Sequence, residues 1–192
     1  RGLSAERPVV VLSDNGIDHL LIAMGCIYAG VPFSPASPAY STISKDYGKL
    51  RHVIDTLTPG LIWAEDGDRY GAAIAAVAPA DCEIVLSRNA DSASLKERES
   101  TPLAELLATQ PTPAVDAAQA ATGPDTIVKF LFTSGSTKLP KAVINTNRMW
   151  CANQEQMRLS MPILMEERPV LIDWLPWNHT FGGNHNVGMV LN

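Results

Sequence analysis

The chain has 192 residues, 46% of them hydrophobic, and is therefore long enough to bury a sizeable core. Its 15 basic and 20 acidic residues leave a formal net charge of −5, and the sequence lacks the basic run that nucleic-acid binding would favour. The longest apolar tract, residues 20–31, is interrupted by Gly25 and Gly30 and falls short of the ~20 residues that a membrane span requires, so no membrane span is predicted.

The cysteines, Cys26, Cys82 and Cys151, lie far apart and form no Cys-x-x-Cys pair. An odd number at such spacing favours neither a disulfide framework nor a zinc site. The pattern is typical of a protein in a reducing compartment, and we expect a cytoplasmic location.

Short apolar and β-branched runs alternate with segments of helical periodicity through residues 1–108. In chain order, the pattern predicts strand 9–12, helix 17–27, strand 31–34, helix 44–57, strand 61–64, helix 70–77, strand 83–86 and a short helix at 102–108. This alternation is typical of a mostly parallel sheet with helices on both faces, joined by right-handed crossovers. The predicted fold class is therefore α/β.

Residues 109–125 are rich in Ala, Pro and Thr and show no apolar periodicity. They predict a connection over the surface, between a first α/β portion at 1–108 and a second portion at 126–192. The second portion is predicted to hold a strand from Ile127, a helix over 148–159, a strand over 170–174 and a helical run over 186–191.

A turn of small hydroxyl residues and lysines follows the strand that begins at Ile127, in the stretch FLFTSGSTKLPKAVINTN. Gly135 allows the backbone to approach an anion closely, and Lys138 and Lys141 add positive charge. Hydroxyl donors come from Thr133, Ser134, Ser136 and Thr137. Because an apolar run resumes at 142–144, we predict a polyphosphate-binding loop between two strands.

This loop has two other interpretations. A Walker loop needs Gly, four residues, Gly-Lys and Ser or Thr, followed by a helix, and neither the spacing nor the exit is present. The composition alone also fits an ordinary polar hairpin, since Gly, Ser, Thr, Pro and Lys are common turn residues.

The ordered string TSGSTKLPK resembles the phosphate-loop signature of the AMP-forming acyl-CoA synthetases, the adenylating family that includes luciferases and nonribosomal adenylation domains. The strings AMGCIYAGVPFSPASPAY from Ala23 and DWLPWNHTFGGNHN from Asp173 are similar to two further motifs of that family, in the same order. The resemblance implies that residues 1–192 form part of a large N-terminal AMP-binding domain, without the C-terminal domain. With no initiator Met and no match to the later motifs, we expect a fragment with little or no ligase activity alone.

Lys138 and Ala142 stand where the family usually has Gly, and Asn147 stands where it tends to have His. With these departures, the strings look most like bacterial feruloyl-CoA synthetases. That resemblance implies an acid:CoA ligase that activates ferulate or a related hydroxycinnamate with ATP and Mg²⁺ and then forms the coenzyme A thioester.

The resemblance also implies roles for individual residues. Lys141 and the loop residues Thr133, Ser134, Gly135, Ser136, Thr137 and Lys138 would surround the departing phosphates, with the Thr133 hydroxyl on Mg²⁺. His179 would lie near the carboxylate and the α-phosphate, so Lys141 and His179 are the candidate catalytic residues. Phe181, Gly182 and Gly183 would form a wall beside a flat ring, with Trp177 nearby. Trp174 is expected to pack in the core at the end of a strand.

Several alternatives remain open at this stage. His179 could be a structural histidine at a helix start, and His19 and His52 are expected to have surface or satisfied roles. His185 lies six residues after His179, a spacing that does not suit a metal site with two histidines on one helical face. The competing functions are a fatty acyl-CoA synthetase, a carrier-protein-loading adenylation domain, and a non-catalytic nucleotide-binding module.

Overall fold

The computed structural model describes residues 1–133, 139–166 and 170–191. One sheet runs through it, in the order β5-β4-β3-β1-β2-β6-β7. Its strands are β1 Val9–Leu12, β2 Phe33–Pro35, β3 Leu61–Asp66, β4 Glu83–Arg88, β5 Thr101–Pro102, β6 Ile127–Thr133 and β7 Lys141–Thr146. Neighbouring strands are parallel except β6 and β7, which form an antiparallel pair. The predicted α/β class with a mostly parallel sheet is confirmed.

Helices follow most strands, as the alternation predicts. They are α1 Ile17–Tyr28, α2 Ala39–Thr42, α3 Gly48–Leu57, α4 Gly67–Val77, α5 Leu103–Leu107, α6 Pro113–Ala120, α7 Asn147–Ser160, α8 Ile163–Glu166 and α9 Val187–Leu191. A 3-10 turn lies at Ala93–Leu95 and a π-helix at Phe181–Asn186. Among the helices of the described ranges, none is both long enough and apolar enough to cross a membrane.

Two apolar clusters cover the two faces of the sheet. On one face, Val10 and Ile62 pack with Leu50 of α3 and Ile74 of α4. On the other face, side chains of β1, β3 and β4 pack with α1, α5 and Trp150 of α7. Successive residues of a strand point to opposite faces, so strands covered on both sides are apolar throughout, as in the fully buried β1. This packing confirms the prediction of helices on both faces.

Capping residues fix where α4 and α7 begin. The Asp66 side chain accepts hydrogen bonds from the backbone N–H groups of Asp68 and Arg69, and Thr146 accepts one from Met149. Both residues end a strand and start the helix that follows it, which explains the short turns here. The observed α7 agrees with the helix predicted over 148–159.

The segment over residues 109–125, which was predicted to connect the two portions over the surface and for which no helix was predicted, contains helix α6. Alanine has the highest helix propensity, and Pro113 occupies the first turn, where its missing N–H group is tolerated. No residue of α6 is buried, so the helix has no apolar face that periodicity could reveal.

The strand predicted over residues 170–174 was also wrong, since these residues lie in no helix or strand. Val170 and Ile172 are exposed, and Trp174, which was expected in the core, is 82% exposed. An apolar run such as Val-Leu-Ile makes a strand only where another strand offers backbone hydrogen bonds. In the described ranges, no strand pairs with this segment.

Candidate functional site

The β6–β7 hairpin brings two of the predicted phosphate-binding residues together. Thr133 is the last residue of β6 and Lys141 the first of β7, and they are direct cross-strand partners. Both are exposed, so the hydroxyl and the ammonium can reach a ligand at the mouth of the hairpin. The loop residues between them, Ser134, Gly135, Ser136, Thr137 and Lys138, lie outside the described residues.

Helix α3 anchors the return side of this loop. His52 Nε2 donates a hydrogen bond to the backbone oxygen of Pro140 at 2.9 Å. The His52 ring also meets the Phe132 ring edge-on, with centroids 6.4 Å apart. One histidine therefore contacts both β6 and the residue that precedes Lys141, which agrees with the surface or satisfied role predicted for it.

A second cross-strand pair lies deeper in the hairpin. Lys129 and Asn145 are direct partners, four residues from the Thr133 and Lys141 pair on each strand. Four residues of strand span about 13 Å, and residues separated by an even number share a face. The two pairs therefore lie on one face of the hairpin, about 13 Å apart.

Residues 173–186, named here the motif segment, pack on this face through hydrogen bonds. Lys129 Nζ donates to the backbone oxygen of Gly183 at 2.7 Å, and Asn184 Nδ2 donates to Asn145 Oδ1 at 2.8 Å. From α7, Trp150 Nε1 and Gln154 Nε2 donate to the backbone oxygen of Asn184 at 2.8 and 3.0 Å. Four polar side chains thus attach two consecutive residues of the π-helix to the hairpin and α7.

An open pocket of about 480 Å³ lies between the motif segment, β7 and α7. Its lining consists of Asn145, Met149, Trp150, Asn153, His179, Thr180, Phe181, Asn184 and His185. The Phe181 and His185 rings stack at 4.6 Å with an angle of 16° between them, which forms a flat aromatic wall. His179 and Phe181, both predicted to bind the acid, therefore line one pocket.

Trp177, Gly182 and Gly183 are positioned differently from Phe181. The Trp177 ring meets the buried His19 ring edge-on at 5.2 Å, and its backbone N–H donates to Asn15. A Cβ atom at Gly182 would lie 2.5 Å from the oxygen of Pro176, and one at Gly183 would lie 2.2 Å from the oxygen of Trp177. These distances require glycine because the π-helix packs directly on the preceding backbone. None of these three residues lines the pocket of His179.

His19 and Lys129 are two buried basic side chains beneath the motif segment. Burial, with a smaller contribution from the charge of Lys129, lowers the pKa of His19 to about 4. The His19 Nδ1 atom lies 3.0 Å from Ser13 Oγ, so the prediction of a satisfied histidine is confirmed, although His19 is buried. Burial lowers the pKa of Lys129 to about 7.

Lys129 is the residue of this site that the sequence interpretation missed. It is 2% exposed, and its Nζ atom lies 3.8 Å from the centroid of the Trp150 ring. The available signal was a single lysine inside the apolar run 127–132, because a buried charge must find a hydrogen-bonding partner.

No group of three or more His, Cys, Asp or Glu side chains that could hold a metal ion occurs in the described part of the chain. Mg²⁺ in nucleotide sites is bound largely by phosphate oxygens and waters, with one or two protein oxygens. The exposed hydroxyl of Thr133, opposite Lys141, fits such a role.

Comparisons with known proteins agree with this architecture. The family described as AMP-binding enzyme matches residues 1–192. Indigoidine synthase from Streptomyces lavendulae is 26% identical over 181 residues, which make up 92% of this chain and 12% of that protein.

Two solved structures share the fold. A fatty acyl-adenylate ligase from L. pneumophila, in complex with acyl adenylate and pyrophosphate, gives a TM-score of 0.68 at 20% identity over 99% of this chain and 29% of that chain. A malonyl-CoA ligase in a ternary product complex with methylmalonyl-CoA and AMP gives a TM-score of 0.64 at 18% identity over 95% of this chain and 32% of that chain.

The chain therefore spans less than a third of the length of each of these three proteins. At 18 to 20% identity, the two solved structures show the shared fold alone. The family match, in contrast, extends over the whole sequence. On that match, this chain belongs to the AMP-binding enzyme family.

Proposed function

We propose that the protein carrying this chain is an ATP-dependent acid ligase, which joins a carboxylic acid to AMP and then transfers the acyl group to coenzyme A. The observation that carries the proposal is the arrangement of the hairpin. The exposed pair Thr133 and Lys141 lies on the same face as Asn145, which lines the pocket of His179 and Phe181. A nucleotide bound at Thr133 and Lys141 and an acid bound in the pocket of His179 could therefore meet over one surface.

In the first step, a carboxylate oxygen attacks the α-phosphorus of ATP, and the bond to pyrophosphate breaks. The acid is already ionised at neutral pH, so the step needs no protein nucleophile or general base. It requires cations and hydrogen-bond donors around the charge that develops on the leaving pyrophosphate. We assign this role to the Lys141 ammonium and to the donors of Thr133, Ser134, Gly135, Ser136, Thr137 and Lys138.

Mg²⁺, when bound to the triphosphate, would neutralise part of its charge, with the Thr133 hydroxyl as a protein ligand. Lys141 is held at the start of β7 by its pairing with Thr133, and His52 fixes the preceding residue, Pro140. The backbone that carries the Lys141 side chain is therefore fixed before substrate binds, which limits the reorganisation needed during the reaction.

At the other end of the site, His179 is exposed at the pocket and can donate a hydrogen bond to the carboxylate. The stacked rings of Phe181 and His185 offer a flat surface, which favours an aromatic acid in an offset stack. The volume of about 480 Å³ falls in the range of small-molecule sites. Because the sequence also resembles feruloyl-CoA synthetases, we propose that the acid is ferulate or a related hydroxycinnamate.

In the second step, the thiol of coenzyme A attacks the acyl carbon and AMP leaves. Support for this acceptor comes from the malonyl-CoA ligase that shares the fold, whose structure contains methylmalonyl-CoA and AMP. Support for the first step comes from the fatty acyl-adenylate ligase, whose structure contains acyl adenylate and pyrophosphate.

Acid-dependent exchange between ATP and labelled pyrophosphate, measured on the full-length protein that carries this sequence, tests the proposal. The panel should contain hydroxycinnamic, benzoic and fatty acids and amino acids, and coenzyme A is then added to detect the thioester. We expect exchange with ferulate and a feruloyl thioester. Binding of ATP without exchange for any acid would indicate a nucleotide-binding module instead. Exchange with a fatty or amino acid alone would overturn the assignment of the acid.

A further inference from the structure

The π-helix at Phe181–Asn186 has backbone oxygens that receive hydrogen bonds from outside the helix. Lys129 Nζ donates to Gly183, and Trp150 and Gln154 donate to Asn184. A π-helical turn is rare, and it occurs frequently at functional sites. The external donors stabilise this turn at the point where it meets the hairpin.

The placement of Lys129 is unfavourable unless it serves a specific contact. Its side chain is 2% exposed, and no carboxylate lies within 4.0 Å of Nζ in the described ranges. The ammonium is compensated by the oxygen of Gly183 at 2.7 Å and by the Trp150 ring at 3.8 Å. A methionine would fill a similar volume without the desolvation cost of a charge. The presence of a lysine therefore indicates that its hydrogen bond to Gly183 is needed to hold the π-helix in place.

Gly183 connects Lys129 to His179, the residue that we propose to bind the acid. Gly183, whose oxygen accepts from Lys129, donates its own N–H group to the backbone oxygen of His179 at 2.8 Å. Lys129 is also on the strand that ends at Thr133, four residues later. One side chain thus links the strand that enters the phosphate loop to the turn that carries His179 and Phe181.

We infer that Lys129 is a positioning residue, which sets the distance and orientation of the acid pocket relative to the Thr133 and Lys141 pair. This inference rests on the proposed adenylation function for its kinetic consequence. Lys129 does not touch the reacting atoms; it acts through Gly183. Asn145, its cross-strand partner, supports the same turn through Asn184. The expected signature of losing Lys129 is poorer use of the acid with unchanged affinity for ATP.

The test compares three variants of the full-length protein with the wild type. Lys129→Met keeps the volume but removes the donor, Lys129→Arg keeps a donor and a charge, and Lys96→Met removes a lysine from the exposed surface. For Lys129→Met we expect kcat/KM for the acid to fall at least about tenfold, equivalent to about 1.4 kcal/mol, while KM for ATP stays within about twofold. Lys129→Arg should recover part of this loss, and Lys96→Met should match the wild type.

Hydrogen exchange followed by mass spectrometry provides a readout that does not depend on activity. In Lys129→Met, peptides covering residues 179–191 should exchange at least about tenfold faster, while peptides covering β1 and β3 keep their protection. If Lys129→Met does not fold, Trp150→Phe keeps a ring over Nζ but removes the donor to Asn184. It should shift exchange of the same peptides in the same direction.

Unchanged acid kinetics in Lys129→Met, or an equal loss for acid and ATP, would overturn the inference. Unchanged exchange of residues 179–191 in the folded variant would also overturn it. If the wild type activates no acid, the proposed function fails, and the hydrogen-exchange comparison alone then decides whether Lys129 positions the turn.

Discussion

The centre of the sheet and its β6–β7 edge are stabilised by different interactions. In the centre, Val10, Ile62, Trp63 and Val85 are fully buried among apolar neighbours. At the edge, the motif segment is attached to the hairpin by hydrogen bonds with Lys129 and Asn145, and to α7 by hydrogen bonds from Trp150 and Gln154. Apolar burial has no preferred direction, whereas hydrogen bonds orient the groups that they join. The centre therefore supplies most of the stability, and the edge orients the residues of the proposed site.

A pair of tryptophans provides the sharpest test of this contrast. Trp63 is 0% exposed in the centre of the sheet and Trp174 is 82% exposed in the motif segment. We expect Trp63→Ala to lower the free energy of unfolding by about 3–5 kcal/mol, because it opens a cavity between β3 and α1. Trp174→Ala should change it by less than about 0.5 kcal/mol. Urea unfolding measures both values. Comparable losses would contradict the contrast and show that the motif segment is covered by another part of the protein.

Substitution of Lys141 tests whether the β6–β7 edge is the catalytic region. Its side chain is exposed, so Lys141→Ala should leave the unfolding free energy nearly unchanged while slowing adenylate formation about 10²- to 10³-fold. Single-turnover release of pyrophosphate at saturating acid measures the rate, and Lys96→Ala serves as the control for loss of an exposed lysine. Full adenylation kinetics in Lys141→Ala would remove this residue from the proposed site.

His19 is buried and packs against Trp177 of the motif segment, so its contribution to stability can be tested by changing the pH. Burial lowers its pKa to about 4 from the ordinary value of 6.5, so the folded protein binds fewer protons than the unfolded chain between these pH values. Stability should therefore fall as the pH drops from about 6.5 to about 4, by up to about 3 kcal/mol from this group.

Urea unfolding at several pH values, for the wild type and His19→Gln, isolates this contribution from that of the carboxylates. The variant should lose less stability than the wild type across the same window. Parallel pH profiles of the two proteins would show that His19 does not need to remain neutral in the fold.

Substitution of His179 is expected to have the smallest of these effects. His179→Ala should lower kcat/KM for the acid about 10- to 100-fold and leave KM for ATP within about twofold, because its side chain is exposed at the acid pocket. Exchange assays with acid and ATP varied separately measure the two constants, and His179→Asn, which keeps a hydrogen-bond donor, should recover part of the activity. An equal effect on both substrates would place His179 outside the acid pocket.

The fold could be predicted well where local pattern and burial agree. The apolar run Val9–Leu12 is buried in the sheet, and Leu50 belongs to the apolar positions at helical spacing that α3 buries. The predictions failed where the two diverge. Helix α6 has no buried face to reveal it, and residues 170–174 show a strand pattern without a strand partner.

The candidate site was predicted in part. Thr133 and Lys141 were chosen from the sequence, and the antiparallel register places them opposite each other. Lys129 was missed because its significance depends on Gly183, which lies 54 residues away in the chain. Trp177 was chosen for its position in the motif, but its ring packs against His19.

By itself, the sequence determined most of the alternation of strands and helices over residues 9–88, the α/β class and the chemical character of the phosphate loop, because periodicity, turn residues and charge are local properties. Only the tertiary structure decided which residues face one another across the site. The packing of the π-helix against Lys129, Asn145 and Trp150 depends on contacts between residues distant in the chain. Such contacts form only when the hydrophobic core brings those segments together, and no local pattern encodes them.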